Sequence, residues 1–221
     1  MFITRNGLTI GENVFSKNNE MERMVEYLEN KKGHVRLAKQ DDIPRLRTIY
    51  DYYVRKTVVS FEYNTPNVEE FRRRFNNFSK ACPYLIYCEG DEILGYAYAH
   101  PAFEREAYSW CAESTIYVDK DSRGRGIGQR LYRPLLKLLK YQGYRVVYAV
   151  VSAKNKESCS FHEKLGFQLT ALFKNAGYKF NHWLDVCWYE FHLIEVTNGI
   201  GKPIAFTKLP QKKIEKGLRF F

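Results

Sequence analysis

From residue 34 onward, apolar positions recur in two alternating rhythms. Short runs step in twos or are unbroken; longer runs step in threes and fours. His34–Ala38 predicts a strand. Asp41 or Asp42 then predicts a helix cap, with Pro44 in the first turn and Ile43, Leu46, Ile49 and Tyr50 facing inward as far as Arg55. Asn67 predicts a second cap, for a helix near Val68–Phe78 with Val68, Phe71, Phe75 and Phe78 on one face. Tyr84–Cys88 and Ile93–His100 flank Gly90-Asp91 and predict a hairpin, to which Ala112–Val118 adds a third strand. The helix after Arg123–Gly128 carries Ile127, Leu131, Leu135, Leu138 and Leu139 on one face and stops at Gly143. Pro134 lies inside it and is expected to bend it or cost a hydrogen bond. Tyr144–Val151 is almost wholly apolar, which predicts a strand buried on both faces. Asn155–Leu165 predicts a short helix stopped by Gly166, and strands follow near Phe167–Lys174 and Asp185–Leu193. Upstream, Asn18 or Asn19 would cap a helix bearing Met21, Met24, Val25 and Leu28. Downstream, Gly199, Gly201, Pro203 and Pro210 among scattered lysines predict a loosely held tail.

These elements divide the chain into an N-terminal extension (1–33), one α/β domain (34–193) and a basic tail (194–221). At 221 residues, 45% hydrophobic and 27% charged, the composition is that of a globular protein with a sizeable core. No apolar run approaches the roughly 20 residues of a bilayer span, so no membrane association is expected. The first residues lack the basic and apolar regions of a secretion signal. Five cysteines, an odd number without CxxC spacing, argue against a disulfide framework and a zinc site, and the expected location is the cytoplasm. Half of the formal charge of +10 sits in residues 198–221, where Lys202, Lys208, Lys212, Lys213, Lys216 and Arg219 face Glu215 alone. The rest suits an anionic small ligand, and nucleic acid is not the expected partner. The 17 tyrosines, 15 phenylalanines and 3 tryptophans mostly fall on strand positions or helix faces, which fits core packing better than a base-stacking platform.

The chemistry concentrates in Glu113-Ser114-Thr115-Ile116-Tyr117-Val118 and the turn Arg123-Gly124-Arg125-Gly126-Ile127-Gly128. Three glycines between a strand and a helix let backbone amides point at an anion, the helix N-terminus adds about half a positive charge, and the arginines add donors. Together they make a cradle for a pyrophosphate. A P-loop is excluded, because no GxxxxGK[ST] occurs, and the GxGxG spacing is not the GxGxxG of a dinucleotide fold.

In its context the turn resembles the acetyl-coenzyme A loop of the GNAT acetyltransferases. Four ordered blocks narrow the likeness to the phosphinothricin N-acetyltransferase branch: Leu94–Ala99, Glu113–Val118, His162–Phe167, and Gly177–Phe180 followed by Trp183–Val186. The resemblance covers about residues 34–193. It implies the GNAT fold, a mixed, mostly antiparallel α/β sheet flanked by helices and splayed at the cofactor. It implies an N-acetyltransferase that uses acetyl-CoA, without a metal, to acetylate a small amino-acid-like amine of the phosphinothricin or methionine sulfoximine type, directly in a ternary complex. A homodimer is left open. So are a protein or peptide N-terminus, a polyamine or an aminoglycoside as acceptor, and a non-catalytic acyl-CoA binder.

Residue by residue, the resemblance makes Glu113 the general base and His162 the proton donor to the departing thiolate. It assigns Ile116, Tyr117, Val118, Arg123, Gly124, Arg125, Gly126, Ile127, Gly128, Gln129, Asn155 and Ser158 to the cofactor. Phe61, Phe103, Arg105, Ser114 and Thr115 fall to the acceptor. The chemistry agrees: an alkyl ammonium must lose a proton before it attacks, an imidazole can supply one near neutral pH, and an arginine can hold an acceptor anion. Asn181 stands where related sequences carry glycine and tolerates the same left-handed turn.

Overall fold

The computed structural model describes residues 33–195 and 201–219. The helix expected over residues 18–28 lies outside them. The other elements follow the hydrophobic pattern closely: β1 (His34–Leu37), α1 (Ile43–Lys56), α2 (Val68–Ala81), β2 (Tyr84–Glu89), β3 (Glu92–Pro101), β4 (Cys111–Val118), α3 (Ile127–Gln142), β5 (Val146–Ser152), α4 (Lys156–Lys164), β6 (Gln168–Lys179), β7 (His182–His192) and α5 (Gln211–Leu218). All seven strands join one sheet in the order β1-β2-β3-β4-β5-β7-β6, antiparallel except between β4 and β5.

Two aromatic and aliphatic layers cover its faces. α1 and α2 lay Ile43, Leu46, Ile49, Phe71 and Phe75 on Tyr84, Ile86 and Tyr96. The tyrosines there stack on one another, Tyr84 on Tyr98 at 4.7 Å, so the aromatic content is explained by packing. On the other face α3 sets Leu131, Leu135, Leu138 and Leu139 against Leu85, Ala97 and Val147. α3 runs unbroken from Ile127 to Gln142 through a buried Pro134.

Three expectations are corrected. Asp42 precedes α1 but does not cap it, because its carboxylate holds Arg36 at 2.8 Å and the Lys39 amide at 2.6 Å. β6 and β7 are longer than the pattern implied, meeting at a turn in which Phe180 (φ 49°) and Asn181 (φ 61°) are both left-handed. The tail is not loose between residues 201 and 219. Phe206, Leu209 and Ile214 are buried in the main core, and the Gln142 amide donates to the carbonyls of Ala81 and Ile204 at 2.8 Å.

The consequential feature is the middle of the sheet. β4 pairs with β3 along its whole length, from Pro101↔Ala112 to Gly95↔Val118. Its parallel pairing with β5 covers only Cys111↔Val146, Ala112↔Val147 and Glu113↔Tyr148. β5 continues to Ser152 along β7 instead. From Ser114 onward the two central strands part, and the edge of β4 that faces β5 lacks a strand partner.

Candidate active site

Two cavities occupy this gap. One, of about 270 Å³, is bounded by Val59–Phe61, Glu113–Tyr117, Tyr132, Ala149–Ser152, Asn155, Ser158, His162 and Val186. The other, of about 210 Å³, runs from Ile116 and Val118 to Ser122–Gly124, Gly126–Gly128 and Phe161. They share Val59, Ile116, Asn155 and Ser158, so they form one continuous cleft through the sheet.

The turn at one end is built to meet an anion. Gly124 (φ 78°) and Gly126 (φ 76°) are left-handed, and an added Cβ at either would meet only open space, so backbone geometry rather than packing requires glycine. Gly126 is the N-cap of α3, no side chain caps it, and the first turn holds no acid. The free amides and the helix dipole are thus left for a ligand. Gly128 has a different reason: a Cβ there would lie 2.8 Å from the Phe161 ring, so glycine lets α3 approach α4.

At the other end Glu113 stands at the last paired position before the strands part. Burial pushes its carboxyl above the ordinary value, opposed by His100, which faces it across β3–β4. A carboxylate with a raised pKa is a better proton acceptor for an ammonium.

Between them runs a hydrogen-bonded chain. His162 Nδ1 donates to the Ser158 carbonyl at 2.8 Å, which leaves Nε2 to accept from Tyr132 Oη at 2.9 Å. Tyr132 Oη also meets Ser114 Oγ at 3.1 Å, and Ser114 Oγ reaches the Tyr148 carbonyl at 3.1 Å. His162 is only 2% exposed, and burial lowers its pKa to about 4. At neutral pH the ring is therefore uncharged, with its one N–H held by the backbone. The resemblance made His162 the proton donor to the departing thiolate; in the fold its Nδ1–H is held by the Ser158 carbonyl and its Nε2 by Tyr132. On α4, Asn155 Oδ1 caps the helix by accepting from the Ser158 amide at 3.2 Å, which leaves its amide group for the cleft.

The Acetyltransferase (GNAT) domain family matches residues 35–188. This chain belongs to that family. Among the relatives of this GNAT acetyltransferase, the phosphinothricin N-acetyltransferase of Streptomyces coelicolor is 33% identical over 71% of this chain and 94% of that protein. The L-methionine sulfoximine/L-methionine sulfone acetyltransferase of Pseudomonas aeruginosa is 27% identical over 72% of this chain and 94% of its own. A phosphinothricin acetyltransferase from Sinorhizobium meliloti, solved in complex with AcCoA, superposes with a TM-score of 0.73 at 29% identity, covering 79% of this chain and 98% of that one. No helix among the described residues of this acyltransferase is long and apolar enough to cross a membrane.

Of the residues expected at the site, the structure brings to the cleft Phe61, Glu113, Ser114, Thr115, Ile116, Tyr117, Val118, Arg123, Gly124, Gly126, Ile127, Gly128, Asn155, Ser158 and His162. Four fall outside its walls. The Arg125 guanidinium pairs with both carboxylate oxygens of Glu89 at 2.8 and 2.7 Å, and Gln129 is exposed on α3. Phe103 stacks on Trp188 with ring centroids 6.4 Å apart, and Arg105 opens an exposed turn. Sequence reasoning missed Tyr132, Ser152 and the Val59–Ser60 wall. Tyr132 is not among the positions that the spacing places on the apolar face of α3; its only signal was a polar tip on an aromatic beside that face.

Proposed function

We propose that this GNAT acetyltransferase moves an acetyl group from acetyl-CoA directly to the amine of a small amino-acid-like molecule of the phosphinothricin or methionine sulfoximine type. The observation that carries this reading is the continuous cleft, with an anion cradle at one end and the Glu113 carboxylate at the other. The Gly124–Gly128 turn and the α3 N-terminus would hold the pyrophosphate, and the Asn155 amide the pantetheine arm. The β4 edge beyond Glu113 would donate backbone hydrogen bonds to the thioester oxygen. Glu113 takes the proton of the ammonium, the amine nitrogen bonds to the acetyl carbon, and the carbon–sulfur bond breaks. The thiolate departs beside the hydroxyls of Tyr132 and Ser114 and takes up, through solvent, the second proton, which the new amide nitrogen releases. His162, neutral and fixed, orients Tyr132. The names of the relatives support the acceptor class.

The test is thiol release across phosphinothricin, methionine sulfoximine, an N-terminal peptide and a polyamine, with Glu113→Gln beside the wild type. We expect turnover of the amino-acid analogues, and a kcat lowered by roughly 10²–10⁴ in the variant with coenzyme A binding unchanged. Faster turnover of the peptide or polyamine would move the acceptor class, and an active Glu113→Gln would remove the base.

A further inference from the structure

Ser152, at the end of β5, is 5% exposed, and its Oγ has no hydrogen-bond partner among the described residues. A buried hydroxyl without a partner is costly, and one in the wall of a ligand cleft marks a place where a ligand supplies the missing bond. The strand register says which ligand. Glu113 faces Tyr148 across β4–β5, so alternation along β5 puts Tyr148, Val150 and Ser152 on the Glu113 face of the sheet. Ser152 lines the cavity bounded by Val59–Phe61 and Glu113, and not the one bounded by the glycine turn. It therefore belongs to the acceptor side.

The same cavity has a second property. Among the described residues of its wall there is no lysine or arginine, and Glu113 is the only acidic side chain. Lys179 sits behind the wall, but its Nζ is committed to the carbonyls of Val54 and Ser60 at 2.7 and 2.5 Å. Arg74 of α2 is committed to Glu62 and Glu70. Around the unpartnered hydroxyl the wall is apolar, formed by Val59, Phe61, Val150 and Val186. An anionic group placed there would lose its water with no cation to replace it. A neutral polar group on an apolar stem would lose little and gain the Ser152 bond.

We infer that Ser152 is a specificity-determining residue that hydrogen-bonds an uncharged polar side group of the acceptor, so that this enzyme favours neutral-ended amino acids over those with a second anion. The inference rests on the acceptor class proposed above and divides it. Methionine sulfone and phosphinothricin are the probes, since both carry an α-carboxylate that cancels in the comparison. We expect kcat/KM for the sulfone to exceed that for phosphinothricin at least tenfold. Ser152→Ala should lower the sulfone value roughly tenfold, leave phosphinothricin within about twofold, and not change KM for acetyl-CoA. Equal or better turnover of phosphinothricin overturns the inference alone, as does an equal loss on both acceptors or a loss confined to acetyl-CoA. Turnover of neither compound overturns it together with the acceptor class. The unliganded protein supplies a separate arm. Because Oγ gives up no bond, Ser152→Ala should melt at or above the wild-type temperature, and a Tm lowered by several degrees would show that the hydroxyl has a partner within the fold.

Discussion

Single residues set the chemistry through their surroundings rather than their type. Glu113 and Asn155 were legible in the sequence because a carboxylate inside an apolar strand and an amide at a helix start are conspicuous. His162 was legible as a site residue but not in its charge state, which depends on how completely other elements bury it. The sign of that effect is testable. Its pKa is about 4 in the fold against 6.5 in an exposed histidine, so above pH 6.5 both states are neutral and its contribution does not vary. Below 6.5 the unfolded chain takes up a proton that the folded chain refuses, and stability falls as pH drops toward 4. The loss from this group between pH 7 and 5 is about 2 kcal/mol. His162→Gln should remove that part of the slope, read as the difference between denaturant curves of the two proteins at each pH. Parallel slopes would mean the ring is hydrated and titrates normally.

Elements carry the next level of constraint, and here the pattern of polar and apolar positions was most informative. Strands and helices from β1 to α4 stand where the periodicity put them, except that β5, expected to be buried on both faces, is fully buried on one only and exposes Val150 on the other. β6 and β7 did not, because β6 is an edge strand whose residues are mostly exposed, so no buried stripe marks its length. A left-handed Asn175 and a register shift between Phe173 and Gly177 break the alternation further. The turn into α3 was legible as an anion cradle from its glycines, although the structure divides their duties between backbone conformation and approach to Phe161. If the cradle holds the pyrophosphate, coenzyme A at 100 times its Kd should stabilise the protein by about 2.7 kcal/mol. Gly126→Asp keeps the fold, since the site is open and aspartate tolerates a left-handed backbone, but it sets a negative charge where the phosphates belong. The thermal shift with coenzyme A should vanish in that variant. A folded variant with the full shift would place the coenzyme elsewhere.

At the scale of the whole molecule, the basic tail misled the sequence reading. Its lysines and prolines suggested solvent, while the few apolar residues between them were too widely spaced to form a periodic signal. The structure shows what those few do. Phe206 and Leu209 enter the core shared by α3 and the sheet, and Ile214 of α5 joins them. Gly217 packs so closely on Leu138 that an added Cβ would lie 2.3 Å from its Cδ2. Trp110, just before β4, donates from its indole nitrogen to the Gly201 carbonyl at 3.0 Å. The segment thereby braces the C-terminal half of α3 and lines neither cavity of the cleft. Its role should appear in stability and not in ligand affinity. Phe206 is 7% exposed, and truncating a buried phenylalanine to alanine costs about 3–5 kcal/mol. Phe206→Ala should lower the denaturation midpoint accordingly while unfolding remains one cooperative transition, because the tail and the sheet share a core. The KM for acetyl-CoA should stay within about twofold of wild type, since an interaction outside the cleft contributes to neither ground-state nor transition-state binding. An unchanged midpoint, or a separate early transition, would show that residues 201–219 dock on the domain without belonging to its core.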